Sequence, residues 1–412
     1  MSLRIVACGG GMYRSDVSYP ASFHVVGVSH HTAAVGVREQ FAFTPAELSE
    51  LLEREHEAGR SALLLTTCNR CELYWTGEAD REAWFRDLAH ARGVDLNGAL
   101  VRFDGADAVR HLFTVAAGLD SQILGESEIL GQVRRAYDGA RAAGTTTREM
   151  DIVFSAALAT GRRIRHDTLL GRHPSSVSSA AVDLAARAWT DGLGYRRIVV
   201  LGAGEAAEGV LRALHGLRAS HVALVNRNPG RAAVLATAWN ATPYGWDALP
   251  ELLAAAAVVF VATGASRPLV SARLLAQAAA GRTDELLTMD LSVPRNVDPE
   301  ARAIDGVRLL DLDDLQRLCC PAAGAPAAAL AEVERLLEDE LQRLELRLRG
   351  QAAGPRLAAL HRLGSEVAEQ ETAWAFSRLE ALSESDRQVV KEMADRLVRR
   401  VLYPVSRSLR EE

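Results

Sequence analysis

The stretch RIVVLGAGEAAEGVLRALHGL, which starts at Arg197, limits the possible folds of this chain more than any other segment. An apolar β-branched run, a glycine turn and an amphipathic run follow one another without a gap, the opening unit of a parallel sheet with crossover helices. Further β-branched runs at Val222 to Val225, Val258 to Ala262 and Leu286 to Leu291 alternate with helical patterns and extend that sheet. Gly202-Ala203-Gly204-Glu205-Ala206-Ala207 fits the dinucleotide fingerprint with alanine in the third place. Gly202 permits the tight turn, Gly204 lets backbone approach a pyrophosphate, and Ala207 allows close packing of helix on strand.

The second strand of this Rossmann-type unit ends in Asn226-Arg227-Asn228, where an NAD enzyme usually carries Asp or Glu for the ribose 2′-hydroxyl. Arg227, with Arg231 one helical turn on, suits a 2′-phosphate and favours NADP(H); two solvated loop arginines are the plainer alternative. The run Val261 to Ala265 leaves a strand at its C-terminal end and either flanks the nicotinamide or is a turn with no ligand contact.

A chain of 412 residues exceeds what one hydrophobic core sustains, so several domains are expected. Phe23 to Ser29 and Ser61 to Thr66 read as strands. Thr44 to Glu57 reads as a helix, with Thr44 as N-cap, Pro45 next and Glu47 completing a capping box. Val109 to Ala117, Ile129 to Ala143 and Ile152 to Arg165 read as helices, and about the first 140 residues look α+β. Beyond the Rossmann part, the Pro/Ala/Gly-rich joint 319–329 precedes two helical segments, Leu330 to Arg349 and Arg356 onward, the latter broken near Leu382 to Ser385. The longest apolar run, Leu252 to Ala262, is far too short to span a bilayer. Residues 1–22 have no apolar core of the export type and read as a disordered leader. Five cysteines make no disulfide framework and point to the reducing cytoplasm. The net charge of −6 leaves any nucleic-acid contact to local basic clusters: Arg134-Arg135, Arg162 to His166, and Arg399-Arg400.

TTCNRCELY, residues 66–74, sets two of those cysteines three positions apart. A redox pair wants a helix start in a thioredoxin-like setting, and zinc wants a second pair with suitable spacing; neither context is present, and no metal site is expected. An inert buried cysteine is the plain alternative. As a nucleophile, Cys68 has polar neighbours in Thr67, Asn69 and Arg70. Arg70 is placed either to raise the thiolate fraction or to grip a substrate carboxylate. His111 lies on a separate amphipathic helix.

Seven blocks, in order, resemble one family: GVSHHTAAVGVRE (27–39), TTCNRCELY, GLDSQILGESEILGQVRRAY (118–137), SVSSAAVDLA (176–185), VVLGAGEAAE, VALVNRN and MDLSVPRNVDP (289–299). The family is glutamyl-tRNA reductase. The resemblance implies a multidomain α/β chain: a catalytic domain over 23–165, a Rossmann-type NADP(H) domain over 166–310, a long linking helix within 311–350 and a helical dimerisation domain over 351–412. It implies that Cys68 attacks the glutamyl ester, releasing tRNA and leaving a thioester that NADPH reduces to glutamate-1-semialdehyde, the start of tetrapyrrole synthesis. Thr67, Arg70, Ser121, Glu126, Ser127, Glu128 and Gln132 match positions that bind the glutamyl group, and His111 matches a histidine important for activity. Gly202, Ala203, Gly204, Glu205, Ala206 and Ala207 match the cofactor loop. A V-shaped homodimer and hand-over of the aldehyde to an aminomutase are further implications, and domain swinging implies that some structures show a gap between thiol and cofactor loop.

Three departures stand out. Cys71 occupies a position that is commonly not a thiol and reads as an oxidation hazard beside Cys68. Ser127-Glu128 replaces a frequent Pro-Gln. Pro321, Gly324 and Pro326 interrupt the linking segment, delaying the helix to about Ala327 or kinking it. A shikimate-dehydrogenase-like NADP oxidoreductase shares the VNR ending but leaves the thiol block unexplained, and a non-catalytic tRNA-binding relative is the alternative of another class.

Overall fold

The computed structural model describes residues 22–411 other than 97, 127, 169–175, 319–326, 380 and 381. The leader expected over 1–22 therefore lies outside the described residues except for Ser22. So do Ser127, Cys8, Cys319, Cys320 and the prolines at 321 and 326. The chain divides into two compact units, one spanning Ser22–Glu338 and the other holding Asp339 onward. Among the described residues, no helix is long and apolar enough to cross a membrane.

The first unit opens with an antiparallel sheet of β1 (Phe23–Ser29), β2 (Leu63–Thr66), β3 (Arg70–Thr76) and β4 (Val101–Asp104), in the order β2-β3-β1-β4. Strand β3 was not anticipated. Its side chains alternate between two buried faces. Cys71, Leu73 and Trp75 join Phe41, Leu52 and Phe85 in one core. On the other face Tyr74 packs edge-on to Phe154 of the helix Arg148–Asp167. Arg70 and Glu72 share that second face, and the helix Gly105–Ala116 lies against the same sheet. The capping box of the helix Pro45–Glu57 forms as expected, Thr44 and Glu47 exchanging both bonds.

The same unit continues into a parallel sheet of β5 (Arg197–Leu201), β6 (His221–Val225), β7 (Thr242–Tyr244), β8 (Val258–Val261), β9 (Leu286–Asp290) and β10 (Val307–Leu310). Its order is β10-β9-β8-β5-β6-β7, so the winding reverses beside β5, whose C-terminal end carries the glycine turn. Such a switch point is where open α/β sheets bind ligands. Strands β5 and β8 are apolar and nearly wholly buried because helices cover both faces. Edge strands β7 and β10 escaped the sequence reading; β7 is three exposed residues including Pro243, too short and polar to register.

The helix expected to start near Ala327 does so, and runs unbroken over Ala327–Arg378. Two segments separated near residue 350 had been expected. Glycine inside a helix costs only about 1 kcal/mol and proline about 3, so a 52-residue helix with Leu341, Leu344, Leu348 and Leu357 buried along it absorbs 350–355 without ending. The last helix, Glu384–Glu411, follows the expected break.

Candidate active site

Cys68 sits at the tip of the turn joining β2 to β3, not at a free strand end. The Thr67 hydroxyl accepts from the amides of Asn69 (3.0 Å) and Arg70 (3.2 Å), and the Thr67 amide donates to the Arg70 carbonyl (2.9 Å). This is the local side-chain bonding that stabilises a tight turn. The His30 amide ties the Asn69 carbonyl to the end of β1 (2.8 Å). Cys68 is half-buried and Cys71 buried, both as free thiols.

Below the turn lies a buried charge network. Arg70 Nη1 donates to Glu72 (2.8 Å) and Asp120 (2.9 Å), and Nη2 donates to the Asp120 carbonyl. Glu72 also binds His111 Nε2 (2.9 Å) and the Tyr74 hydroxyl (2.6 Å), while His31 binds Asp120 (2.7 Å). His111 stacks on Phe103 at 4.7 Å, which fixes the ring. Burial alone would raise the pKa of Glu72, but Arg70 and His111 overcome it and hold this carboxyl at about 2. Asp120 is likewise held well below the usual carboxylate range, burial being outweighed by Arg70 and His31. Arg70 thus has two counter-charges of its own. The cation that acts to favour the Cys68 thiolate is Arg38, whose Nε donates to the Cys68 carbonyl (3.1 Å).

Segment 118–132 closes the other side. Glu126 is buried, with Asn69 Nδ2 at 3.5 Å and its carbonyl bound by Arg165. Ser121 approaches Glu126 closely enough to oppose its neutralisation, yet falls short of hydrogen-bond geometry. Burial, followed by the neighbouring Glu128, pushes Glu126 up to about 7. Burial and then Glu205 raise Glu128 too. These effects converge on the thiol: burial, Glu126 and Glu128 push Cys68 up to about 12. Gln132 is half-buried one turn beyond Glu128 on the helix Glu128–Ala142. Four buried polar atoms around the turn have no partner among the described residues: His30 Nδ1, Asn69 Oδ1, Arg70 Nε and Ser121 Oγ. Unpaired buried polar atoms are costly, and their gathering marks a place where a polar ligand fits.

The glycine loop is built by shape instead. Gly202 has φ +114°, and a Cβ there would lie 2.1 Å from the Ala262 carbonyl oxygen. Gly204 caps the helix Glu205–Gly216, and a Cβ there meets nothing within 4 Å. Ala207 is fully buried, as the fingerprint requires, and Ala206 accepts at its carbonyl from Ser178 (2.9 Å). These residues, with Ala203 between the glycines, leave an open cradle that fits a pyrophosphate. Asn226 bonds within its loop to the Asn228 carbonyl, and Asn228 caps the helix that carries Arg231. Arg227 and Arg231 are exposed and make no ion pair among the described residues. The run after β8 is braced: Thr263 donates from its amide to Ser292 (3.1 Å) and from its hydroxyl to Asn296.

The two halves of the first unit are in contact here. Cys68 and Ile123 pack against the core of the parallel sheet, and Arg135 pairs with Glu205 of the glycine loop at 3.2 Å through both oxygens. This arrangement has no gap between thiol and nucleotide-binding half, unlike the open form expected of some structures. The basic cluster 162–166 is not one solvated face, since Arg165 turns inward to Glu126 and Arg163 pairs with Asp167. Sequence reasoning missed Arg38, Glu72, Asp120, His30 and His31. All five lay in blocks noted only as a resemblance, and Arg38, Asp120 and Glu72 take partners as distant as Asp313, Arg70 and His111.

Comparison with known proteins agrees with this layout. Residues 26–168 match the family described as glutamyl-tRNAGlu reductase, N-terminal domain, and residues 332–412 its dimerisation domain. Residues 183–318 match shikimate / quinate 5-dehydrogenase, confined to the nucleotide-binding part. A glutamyl-tRNA reductase of Thermomicrobium roseum is 37% identical, covering 94% of this chain and 95% of its own. One from Chloroflexus aurantiacus is 34% identical, covering 94% of each. Among solved structures, glutamyl-tRNA reductase from Methanopyrus kandleri is 30% identical with a TM-score of 0.48, covering 95% of this chain and 98% of its own.

Proposed function

This chain belongs to the glutamyl-tRNA reductase family, and on that premise we propose that it reduces the glutamyl group of glutamyl-tRNA(Glu) to glutamate-1-semialdehyde, the first committed step of tetrapyrrole synthesis, with NADPH as reductant. In this reading residues 23–165 form the catalytic domain, 166–310 the cofactor domain and 351–412 the dimerisation domain, with 311–350 joining them.

Cys68 attacks the ester carbonyl, the ribose oxygen of the tRNA leaves with the thiol proton, and a glutamyl thioester remains. An ester is a poor hydride acceptor, whereas a thioester carbonyl is more electrophilic, which is why a thiol is coupled to a nucleotide domain. A bound dihydronicotinamide supplies the hydride. The backbone at Gly202 and Gly204 and the start of the helix at Glu205 hold its pyrophosphate, and Arg227 and Arg231 hold a 2′-phosphate. Glu126 and Glu128 receive the substrate's α-ammonium. That cation cancels the like charge now lifting the Cys68 thiol, so substrate binding itself lowers the cost of ionising the nucleophile. Ser121, Asn69 and Arg70 offer their unpartnered polar atoms to the glutamyl group, Gln132 stands beside them, and His111 orients Glu72 and through it Arg70. The observation that carries the reading is the half-buried thiol packed directly on the nucleotide-binding core.

Homodimerisation is supported by Val389, Met393, Leu397 and Val401, a four-residue apolar spacing left exposed along Glu384–Glu411. Exposed Arg134, Arg162, Arg399 and Arg400 are offered to tRNA phosphates, and a reactive aldehyde product favours transient hand-over to an aminomutase. Incubation with glutamyl-tRNA in the absence of NADPH, followed by intact-mass measurement, tests the mechanism. A glutamyl adduct on Cys68 is expected, with no aldehyde from Cys68→Ser. Undiminished aldehyde formation by that variant sinks it.

A further inference from the structure

Arg38 is 3% exposed, and every nitrogen of its guanidinium is committed. Nε donates to the Cys68 carbonyl (3.1 Å), Nη1 to the Ala33 carbonyl (2.7 Å) and Nη2 to Asp313 Oδ1 (3.0 Å). Asp313 belongs to the helix Leu312–Leu318 that follows β10 of the parallel sheet, and its second oxygen accepts from the Val35 amide (2.7 Å). The two ends of this bridge are 275 residues apart in the chain. The next residue makes a parallel contact: Glu39 accepts from Arg295 through Nε (2.9 Å), Nη2 (2.6 Å) and the backbone amide (3.0 Å). Arg295 stands on a loop locked by Asp290, which accepts from the amides of Ser292, Asn296 and Val297. Two neighbouring residues therefore bind a helix and a braced loop packed on the parallel sheet, and one of them also holds the carbonyl of the nucleophile. Buried cations survive only with such complete pairing, and forked guanidinium bonds fix direction as well as distance.

We propose that Arg38 is a positioning residue: with Asp313 it clamps the thiol turn onto the nucleotide-binding half and keeps water off the acyl group carried by Cys68 until that group is reduced. This rests on the reading that Cys68 carries the glutamyl group. With the clamp loosened, water oxygen adds to the acyl carbon, the carbon–sulfur bond breaks, sulfur regains a proton and free glutamate leaves, with no change of oxidation state.

The test uses the full chain with glutamyl-tRNA. Asp313→Asn keeps an acceptor for the Val35 amide but removes the charge facing Arg38. Arg38→Lys keeps the cation but cannot reach Cys68, Ala33 and Asp313 together, and it decides the matter if the first variant fails to fold. Without NADPH, Asp313→Asn, which leaves the Arg38 cation beside the thiol, is expected to acylate Cys68 at a rate within about twofold of the parent, and in each variant the adduct's lifetime, followed by intact mass, falls about tenfold. With NADPH, the ratio of glutamate to aldehyde rises by a similar factor. Unchanged adduct lifetimes in variants that acylate normally overturn the clamp alone, as does a parallel loss of acylation and aldehyde at a fixed product ratio. A parent chain that never acylates Cys68 overturns the catalytic reading and the clamp together.

Discussion

The turn after β2 and the turn after β5 begin alike, each leaving the C-terminal end of a buried apolar strand, and they are built by opposite means. The thiol turn is held by side chains: the Thr67 hydroxyl bonds two amides, and Arg70, Glu72, Asp120 and His111 fill the space beneath with paired charge. The glycine turn is held by the lack of side chains, with Gly202 in left-handed backbone against the Ala262 carbonyl and Gly204 facing open space. A change at the first turn thus alters protonation and reactivity. At the second it alters shape.

The largest expected effect separates the two glycines. Gly202→Ala strains the backbone and drives a methyl into Ala262, costing about 3 kcal/mol of stability and abolishing NADPH binding, as read by urea denaturation and by quenching of cofactor fluorescence. Gly204→Ala should leave the unfolding free energy in urea within about 0.5 kcal/mol of the parent while weakening cofactor binding. Equal destabilisation by both would erase the difference between the two glycines.

Next in size is Glu72→Gln. The folded Glu72 carboxyl titrates near 2 against 4.5 for the free group, so its pairing stabilises the fold above about 4.5 and that stability drains away as pH falls toward 2. The glutamine variant lacks this contribution and leaves Arg70 short of a partner. It is expected to be about 3 kcal/mol less stable at neutral pH, with the gap to the parent closing on acidification through that window. A gap that stays constant with pH breaks the claim that charge pairing, rather than packing, holds this turn.

The smallest effect probes the thiol itself. Glu128→Gln removes one of the two carboxylates that, after burial, raise the Cys68 thiol, so the alkylation profile with iodoacetamide should move to lower pH, about two- to threefold faster at a fixed pH. Burial remains the larger cause, which keeps the shift modest. A shift to higher pH contradicts it.

Legibility in the sequence followed the same divide. The glycine loop, β5, β6, β8 and β9 were readable because their signals are local: periodicity and a fixed glycine spacing. Strand β3 was not, because Arg70 and Glu72 leave RCELYWT without a continuous apolar run; only the fold reveals that they neutralise each other on a buried face. Arg38 and Asp120 looked like ordinary polar residues, since Asp313 and Arg70, their partners, are 275 and 50 positions away. The helix Ala327–Arg378 hid its continuity behind glycine and proline near 350, where local propensity argued for a stop and the buried leucines on either side argued against it.

The two sulfurs of TTCNRCELY end in different cores, Cys71 among Val26, Leu73 and Trp75 and Cys68 against the parallel sheet. One hairpin thereby separates the fates of two near neighbours: a maleimide dye or a pulse of peroxide is expected to find Cys68, while Cys71 stands behind a wall of hydrocarbon.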